Sequence, residues 1–241
     1  MSFKKIRLGV NIDHFATLRN QRTEKYIHLN EIAEILKMKE VNSITVHLRE
    51  DRRHIKDNDV IELVNNEILP INLEMAATKE MQDFCKNVKP FACCIVPEKR
   101  RELTTEGGLN VKKNFPKLKK ILTEIKKIRI RTSLFIDPNF DQIESASKLG
   151  VDAIEIHTGR YANLFENGNY TKELNQIIKA SEFAKKLGLE VHAGHGLNLK
   201  NVKNIIDIKS ISELNIGYSI VVESIFIGLK NVLDKYQELM N

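Results

Sequence analysis

Eight short runs rich in β-branched and aliphatic residues alternate with stretches of helical periodicity along the 241-residue chain. This alternation is the feature that most constrains the fold. In the helical stretches, such as the basic segment 112–127, apolar residues recur at three- and four-residue spacing, which indicates helices with one buried face. Gly150 and Gly188 each precede a new run, as glycines at helix C-termini do. The predicted strands cover residues 6–12, 43–47, 71–75, 92–96, 131–136, 153–157, 189–193 and 211–216.

Eight strand–helix units in about 240 residues match a (β/α)8 barrel, whose usual size is roughly 250 residues. We therefore predict an α/β protein, a (β/α)8 TIM barrel with additional short helices. A doubly wound open sheet is the alternative, because the pattern alone does not distinguish a closed parallel sheet from an open one. No Pro- or Ser-rich linker, low-complexity tract or charge block divides the chain, which predicts one domain over residues 1–241.

Polar residues occur two apart where five of the predicted strands end. Side chains two apart on a strand point to the same face, so each pair is expected to share one direction. Catalytic residues of (β/α)8 barrels come from the carboxyl ends of several strands, so inward-facing pairs would build one active site. The alternative is that each residue hydrogen-bonds only a local loop. The pairs are Asn11 and Asp13, Thr45 and His47, Asn72 and Glu74, Glu155 and His157, and Asn215 and Gly217.

Two histidine-bearing segments, 45–54 and 193–196, follow predicted strands and point to phosphate chemistry. Imidazoles transfer protons near neutral pH, and guanidinium groups such as that of Arg49 bind anions. His195-Gly196 after the seventh strand and Gly217 after the eighth lie where barrels often bind phosphate through backbone N–H groups. Arg52 and Arg53 are ambiguous, since they could equally form a solvated face. The loop 104–108 contains paired glycines and is expected to move as a lid or to be a flexible surface loop.

The composition disfavours several other classes of protein. A net charge of +6 suits nucleic acid or small anions, but only 6% of residues are aromatic and Trp is absent, so stacking surfaces for bases are scarce. Three cysteines without paired spacing suit a reducing cytosol. No apolar run approaches the roughly 18 residues of a membrane span, and Asn11 and Asp13 interrupt the first apolar stretch too early for a signal peptide. We expect a cytoplasmic protein that binds neither nucleic acid nor membrane.

Metal binding and a nucleotide cofactor are also not expected. His192 and His195 have H-x-x-H spacing, but strand alternation would point them apart, and no third ligand is evident nearby. The chain has no G-x-G-x-x-G fingerprint for a dinucleotide.

Nine segments resemble, in consistent order along nearly the whole chain, the motifs of the pyridoxine 5′-phosphate synthase family. Several of them are long and unusual in composition. The segments are 9–14 (GVNIDH), 45–54 (TVHLREDRRH), 72–76 (NLEMA), 96–100 (VPEKR), 104–108 (TTEGG), 133–137 (SLFID), 155–159 (EIHTG), 193–197 (AGHGL) and 213–217 (ELNIG).

The resemblance implies a barrel enzyme of vitamin B6 biosynthesis, assembled as a homo-octamer and using no cofactor. It would condense 1-deoxy-D-xylulose 5-phosphate with 3-amino-2-oxopropyl phosphate, closing the pyridine ring and releasing phosphate and water. By the same resemblance, His47 and Glu74 would accept protons, His195 would donate one, and Glu155 would stabilise a transition state. The aminoketone phosphate would be held by Asn11, Arg22, Gly196, Gly217 and Tyr218, and the sugar phosphate by Asp13, His14, Arg49, His54 and Thr104.

The chain departs from the family pattern at three positions. Tyr218 stands where the family usually has His, Glu223 where it has a basic residue, and His192 where it has Asn. Two other classes of function stay open at this stage. One is a different sugar-phosphate barrel enzyme, such as an isomerase or a Schiff-base aldolase, which would want an inward lysine at a strand end. The other is a non-enzymatic protein that binds anions or RNA.

Overall fold

The computed structural model describes residues 6–22, 26–98 and 107–241. Eight parallel strands form one closed barrel in chain order, and β8 pairs back with β1 through the register Gly9 to Asn215. This closure confirms the predicted barrel and excludes the open sheet. The strands are β1 (Arg7–Asn11), β2 (Ser43–His47), β3 (Ile71–Ala76), β4 (Ala92–Val96), β5 (Arg131–Ile136), β6 (Ala153–His157), β7 (Glu190–Gly194) and β8 (Glu213–Ile216).

The predicted strands 43–47, 92–96, 131–136 and 153–157 coincide with β2, β4, β5 and β6. The other four differ by one or two residues at their ends. The largest difference is at β8, which begins at Glu213, because the N–H of Ile211 closes a turn on the carbonyl of Ile208 (3.0 Å) before the chain joins the sheet.

Helices surround the barrel and include the expected additional short ones. In the described part of the chain, α1, α7 and α10 directly follow β1, β6 and β8 and precede the helices that complete those units. Side chains cap several helices: Thr78, Asn110 and Asn139 accept backbone N–H groups at the starts of α4, α5 and α6. The helices are α1 (Asp13–Arg19), α2 (Leu29–Met38), α3 (Asp57–Asn65), α4 (Lys79–Val88), α5 (Val111–Lys126), α6 (Phe140–Lys148), α7 (Gly159–Glu166), α8 (Thr171–Lys186), α9 (Val202–Ile206), α10 (Tyr218–Ile227) and α11 (Leu229–Met240).

The main apolar core lies between the strands and the helices, whereas much of the barrel interior is polar. On β1, Leu8 and Val10 belong to the apolar core. The alternate residues Arg7 and Gly9 are register partners of Glu213 and Asn215 and share their direction. Polar side chains therefore point into the barrel along the strands and not only at their carboxyl ends. Inside the barrel these side chains need polar partners.

The amino-terminal end of the barrel supplies such partners through ion pairs. Arg7 contacts both Glu190 and Glu213, the latter at 2.8 Å between Nε and Oε2. Arg131 contacts Glu190 at 2.6 Å, and His192 lies between Glu190 and Glu213, 3.4 and 3.6 Å from their carboxylates. These charges compensate one another at the end of the barrel away from the strand C-termini.

Other predicted features also have defined places. Cys85, Cys93 and Cys94 are free and buried. The basic segment 112–127 lies almost entirely on α5, whose apolar side is buried, in agreement with the predicted surface helix. Within the described ranges, no helix is both long and apolar enough to cross a membrane.

Candidate active site

A cavity of about 480 Å³ opens at the carboxyl ends of the strands. All the predicted site residues except Arg22 and Thr104 line this cavity. They come from β1, β2, β3 and β6, or from the residues that follow β1, β2, β7 and β8. The predicted residues at the cavity are Asn11, Asp13, His14, His47, Arg49, His54, Glu74, Glu155, His195, Gly196, Gly217 and Tyr218. Thr45 and Asn72 lie deeper in the barrel, where their side chains hydrogen-bond each other.

His47 stands between two carboxylates. Its Nδ1 lies 3.8 Å from Oε2 of Glu74, and its Nε2 lies 3.7 Å from Oε2 of Glu98. Its backbone N–H donates to Oδ1 of Asp13 at 2.9 Å, and Asn11 donates to the other oxygen of Asp13 at 3.0 Å. Strand β2 therefore presents the imidazole in a fixed direction, with a proton acceptor near each ring nitrogen.

Two carboxylates at the cavity, buried Glu155 and partly buried Glu74, bind protons more tightly than exposed carboxylates do. Burial, together with the negative charges of Glu155 and Asp13, raises the pKa of Glu74 well above its ordinary value. Burial also raises the pKa of Glu155 to about 7, although His192 and a hydrogen bond from Asn215 oppose that shift. Such carboxylates can exchange protons near neutral pH.

The position of Glu155 is fixed from two sides. Asn215 donates a hydrogen bond to its Oε2 at 2.7 Å. On the other side lies Gly194, where a Cβ would come 2.3 Å from Oε1 of Glu155. A side chain at residue 194 would therefore displace the carboxylate.

His195 has an unusual backbone conformation and a neutral ring. Its φ of 83° is in the left-handed region, which is uncommon for a residue with a side chain. Burial, reinforced by His157, lowers the pKa of His195 to about 4. The two rings pack edge to face with centroids 5.0 Å apart. Asp137 binds Nδ1 of His157 at 3.0 Å and also accepts the N–H of Gly108 at 2.9 Å.

Anion-binding groups lie on two sides of the cavity. On the side of β1 and β2 are Arg49 and the packed rings of His14 and His54, whose centroids are 5.7 Å apart. Burial lowers the pKa of both imidazoles, so a bound anion would be needed to favour their charged forms. On the side of β7 and β8 are Gly196 and Gly217, with backbone amides next to the start of α10.

Glycine is required at Gly217 by close packing. A Cβ there would lie 2.8 Å from the Cβ of Asn11. The following residue, Tyr218, is 66% exposed and packs its ring against that of His14, with centroids 5.1 Å apart. The departure from His to Tyr thus places a phenol at the rim of the cavity.

Several predicted arginines lie elsewhere. Arg22 lines a separate surface cavity together with Arg19. The fold of a single chain therefore does not place Arg22 at the main cavity. Arg52 pairs with Asp57 and Glu80, at 2.8 and 2.6 Å, and donates to the backbone carbonyls of Arg49 and Glu50, so it holds the loop after β2 and does not form a solvated face. Thr104, and with it most of the proposed lid 104–108, falls outside the described residues.

One group of side chains could hold a metal ion among the residues that the structure describes. Asp13, His47 and Glu74 offer three ligand atoms within 4.8 Å of one another. Both oxygens of Asp13 already accept N–H groups, which reduces their availability as ligands.

The sequence prediction missed two polar residues beside these groups. Glu98 faces His47, and Asp137 contacts His157, the predicted strand-end residue whose ring packs against His195. Glu98 and Asp137 each follow a predicted strand within two residues, so the rule applied to the other strand ends would have found them.

The chain is similar to known proteins over nearly its whole length. The family model for "Pyridoxal phosphate biosynthesis protein PdxJ" matches residues 8–241. The pyridoxine 5′-phosphate synthase of Pelagibacter ubique is 48% identical, covering 98% of this chain and 99% of that protein. That of Wolbachia pipientis is 50% identical, with 95% and 97% covered.

Solved structures show the same fold at low sequence identity. The tryptophan synthase A-subunit of Pyrococcus furiosus superposes with a TM-score of 0.64 at 12% identity, covering 99% of this chain and 100% of that one. Phosphoribosylanthranilate isomerase of Thermotoga maritima gives 0.62 at 11% identity, with 98% of each chain covered. The structural likeness concerns the barrel alone, whereas the family match and the curated relatives extend over nearly the whole sequence. The chain therefore belongs to the PdxJ family of pyridoxal phosphate biosynthesis proteins.

Proposed function

We propose that this protein is a pyridoxine 5′-phosphate synthase. It condenses 1-deoxy-D-xylulose 5-phosphate with 3-amino-2-oxopropyl phosphate to give pyridoxine 5′-phosphate, inorganic phosphate and water. The relatives supply the activity, and the family resemblance supplies the two substrates. The structural observation that carries the proposal is a single cavity that combines the imidazoles of His47 and His195 and the carboxylates of Glu74 and Glu155 with anion-binding groups on two sides.

The reaction needs repeated proton transfer at one place. Imine formation, dehydration, loss of phosphate and aromatisation each move protons on carbon, nitrogen or oxygen. In our proposal His47 and Glu74 accept protons, and Glu155 stabilises positive charge that develops in a transition state. The raised pKa of Glu74 makes its carboxylate a stronger base than an ordinary glutamate once it is ionised.

His195 is the proposed proton donor. With a pKa of about 4 in the unliganded cavity, its ring is neutral at pH 7. A phosphate dianion bound beside Gly196 would raise that pKa, because nearby negative charge favours imidazolium. Substrate binding would thus supply the proton that the leaving oxygen later takes up.

Two separate anion sites orient the two substrates. In our proposal Asp13, His14, Arg49, His54 and Thr104 hold the sugar phosphate. Asn11, Gly196, Gly217 and Tyr218 hold the aminoketone phosphate, with Arg22 assigned there by resemblance only. Holding both reactants in one orientation converts an encounter of two molecules into a reaction within one complex.

An aldolase of the Schiff-base type is less well supported. Such an enzyme needs a lysine at the reacting carbon, and among the described residues no lysine lines the cavity.

The proposal includes a cytoplasmic homo-octamer, as the resemblance implies. Helix α10 offers apolar surface for self-association, with Ile225 and Phe226 67% and 78% exposed. Light scattering on the purified protein tests the assembly: a mass near eight chains supports it, and a monomer contradicts it.

The activity is tested by incubating the protein with both phosphates while recording pyridine absorbance and free phosphate. We expect both signals to rise together only when both substrates are present. A folded protein that forms no pyridine from the pair, or that consumes either phosphate alone at the same rate, would contradict the proposal.

A further inference from the structure

Glu98 is a buried carboxylate to which the proposed reaction assigns no role. It follows β4 by two residues, and its side chain is 2% exposed. Burying a carboxylate costs free energy unless charges or hydrogen bonds compensate it. The groups around Glu98 therefore indicate the role of its side chain.

The two oxygens of Glu98 face different groups. Oε1 accepts the N–H of Glu50 at 2.9 Å and lies 3.8 Å from Nε of Arg49. Oε2 lies 3.7 Å from Nε2 of His47. Both Nε2 of His47 and Oε2 of Glu98 are buried without a hydrogen-bond partner among the described residues. A small rotation of either side chain would bring these two atoms into hydrogen-bond distance.

The other ring nitrogen of His47 faces Glu74 at 3.8 Å. A neutral imidazole carries a single N–H, so it can donate to only one of its two carboxylate neighbours. Glu98 has Arg49 and an N–H from Glu50 to stabilise its charge, whereas Glu74 lies near the negative charges of Asp13 and Glu155. Glu98 is therefore the carboxylate whose negative charge is better compensated.

The pKa shifts of Glu98 and Glu74 agree with the charges that surround them. Burial by itself would raise the pKa of Glu98, but His47, the Glu50 N–H and Arg49 outweigh it, and the pKa ends below its ordinary value. The pKa of Glu74 is shifted in the opposite direction by burial and by like charges.

We propose that Glu98 is a positioning residue for His47: its carboxylate accepts the Nε2–H of the imidazole and so directs the unprotonated Nδ1 toward Glu74. This inference rests on the proposed function, because it takes His47 to be a base. When Nδ1 takes up a proton, the resulting imidazolium lies between two carboxylates and is stabilised by Glu98. The aspartate of serine protease triads orients its histidine in the same way.

Glu98 also links the base to the proposed clamp for the sugar phosphate. The N–H of Glu50 and the guanidinium of Arg49 belong to the loop after β2, and both face Oε1 of Glu98. One carboxylate therefore fixes the direction of the imidazole and the path of the loop that carries Arg49.

The test is the substitution Glu98→Gln in the full-length protein, read by ¹⁵N NMR of histidine rings and by steady-state kinetics. In the unsubstituted protein we expect His47 to be protonated at Nε2. The Gln amide can donate to Nε2, so E98Q should move the proton to Nδ1. We expect kcat to fall by about 10²- to 10⁴-fold, as for other imidazoles held in the wrong tautomer. KM for the aminoketone phosphate, whose proposed site does not include Arg49, should change by no more than about threefold, or roughly 0.7 kcal/mol.

The tautomer separates positioning from a structural effect, because a change of packing alone would not move the proton of His47 from Nε2 to Nδ1. His47→Gln identifies the NMR signals of His47. Glu50→Gln is the matched control, since it removes one negative charge from the same loop, and it should leave both tautomer and kcat unchanged.

An unchanged tautomer in E98Q, or a kcat within about threefold of the unsubstituted protein, would overturn the inference. If E98Q does not fold, the NMR spectrum of the unsubstituted protein is sufficient as a test. Protonation of His47 at Nδ1 in that spectrum would overturn the inference. The NMR result does not depend on turnover. Absence of pyridine synthesis by the unsubstituted protein would therefore refute the proposed function, while the tautomer would still test Glu98.

Discussion

At the scale of single residues, the cavity suppresses charge on the groups that are proposed to exchange protons. Burial raises the pKa of Glu155 to about 7 and lowers that of His195 to about 4. The side chains of the cavity are therefore less charged than their residue types suggest, and a bound anionic substrate would favour the charged form of His195. Catalytic acids and bases work best when their pKa values are near the operating pH.

Substitution of the proposed acid–base residues should affect turnover and not folding. We expect His47→Ala, Glu74→Ala and His195→Ala each to lower kcat by about 10²-fold or more, the usual contribution of a positioned acid or base. Their circular dichroism spectra should match that of the unsubstituted protein. His28→Ala removes an exposed histidine outside the cavity and is the control. Near-normal turnover of any one cavity variant would remove that residue from its assigned role.

At the scale of elements, the strands were largely predictable and the contacts between their ends were not. Alternation and helical spacing are local patterns, so they predicted β2, β4, β5 and β6 to the residue. Closure of the barrel depends on β1 pairing with β8 across most of the chain, which no local pattern specifies. Strand alternation and the two histidine-bearing segments supplied most of the cavity residues, and the resemblance added His14, Tyr218 and the role of each residue. The contacts that Glu98 and Asp137 make with histidines of other strands are not specified by a local pattern.

The end of β7 gives a prediction at this scale. A Cβ at Gly194 would lie 2.3 Å from the Glu155 carboxylate and 2.9 Å from the carbonyl oxygen of Asn215, so Gly194→Ala should displace Glu155. A shift of about 1 Å in a catalytic group can cost about 10²-fold in rate, and we expect kcat to fall by that order. Overpacking should also lower the free energy of unfolding by about 1–3 kcal/mol, measured by urea denaturation.

Gly168→Ala is the matched control for this substitution. Gly168 has a φ of 72°, and a Cβ there would have no atom within 4 Å. The added methyl group should cost about 1–2 kcal/mol of stability through backbone strain. It should leave kcat unchanged. Equal kcat values for the two alanine variants would mean that Gly194 does not hold Glu155 in place.

At the scale of the whole molecule, the barrel separates stability from chemistry along its axis. Ion pairs of Arg7, Glu190 and Glu213 compensate charge at the amino-terminal end. The carboxyl-terminal end keeps buried polar atoms of His47, Glu98 and His157 without hydrogen bonds among the described residues. This division is usual in (β/α)8 barrels, which hold their active sites at the carboxyl-terminal face. The description as one domain over residues 1–241 stays a prediction.

The free energy of unfolding should depend on pH through Glu155 and His195, whose pKa values are shifted in opposite directions. Glu155 has a raised pKa, so its contribution to stability is fully present below its ordinary pKa and is lost as pH rises through about 7. His195 has a lowered pKa, so stability is lost as pH falls from its ordinary pKa of 6.5 toward about 4. Between these limits the two effects oppose each other.

Replacing Glu155 or His195 with glutamine should separate their contributions to the pH dependence of the free energy of unfolding. In Glu155→Gln the stability should rise more steeply with pH between about 4.5 and 6.5, by up to about 1.4 kcal/mol per pH unit. In His195→Gln it should change in the opposite direction by a similar amount. Urea denaturation at several pH values measures both. Parallel pH dependences for both variants and for the control Glu182→Gln, on the exposed face of α8, would contradict the assigned shifts.

The central claim is that two phosphates bind on different sides of one cavity, and Arg49 tests it most directly. Arg49 lies in the loop after β2, whereas Gly196 and Gly217 follow β7 and β8, and β1 stands between those two sides. The measurement is calorimetric titration of each phosphate separately into Arg49→Ala. Arg131→Ala is the control, because its guanidinium pairs with Glu190 at the amino-terminal end of the barrel, away from the cavity.

Loss of a charge-assisted contact should weaken binding of 1-deoxy-D-xylulose 5-phosphate by about 1.5–3 kcal/mol, roughly ten- to over a hundredfold in Kd. Binding of 3-amino-2-oxopropyl phosphate should change far less in the same variant. Equal weakening of both ligands would mean a single shared anion site and would contradict a ring closure between two separately held phosphates.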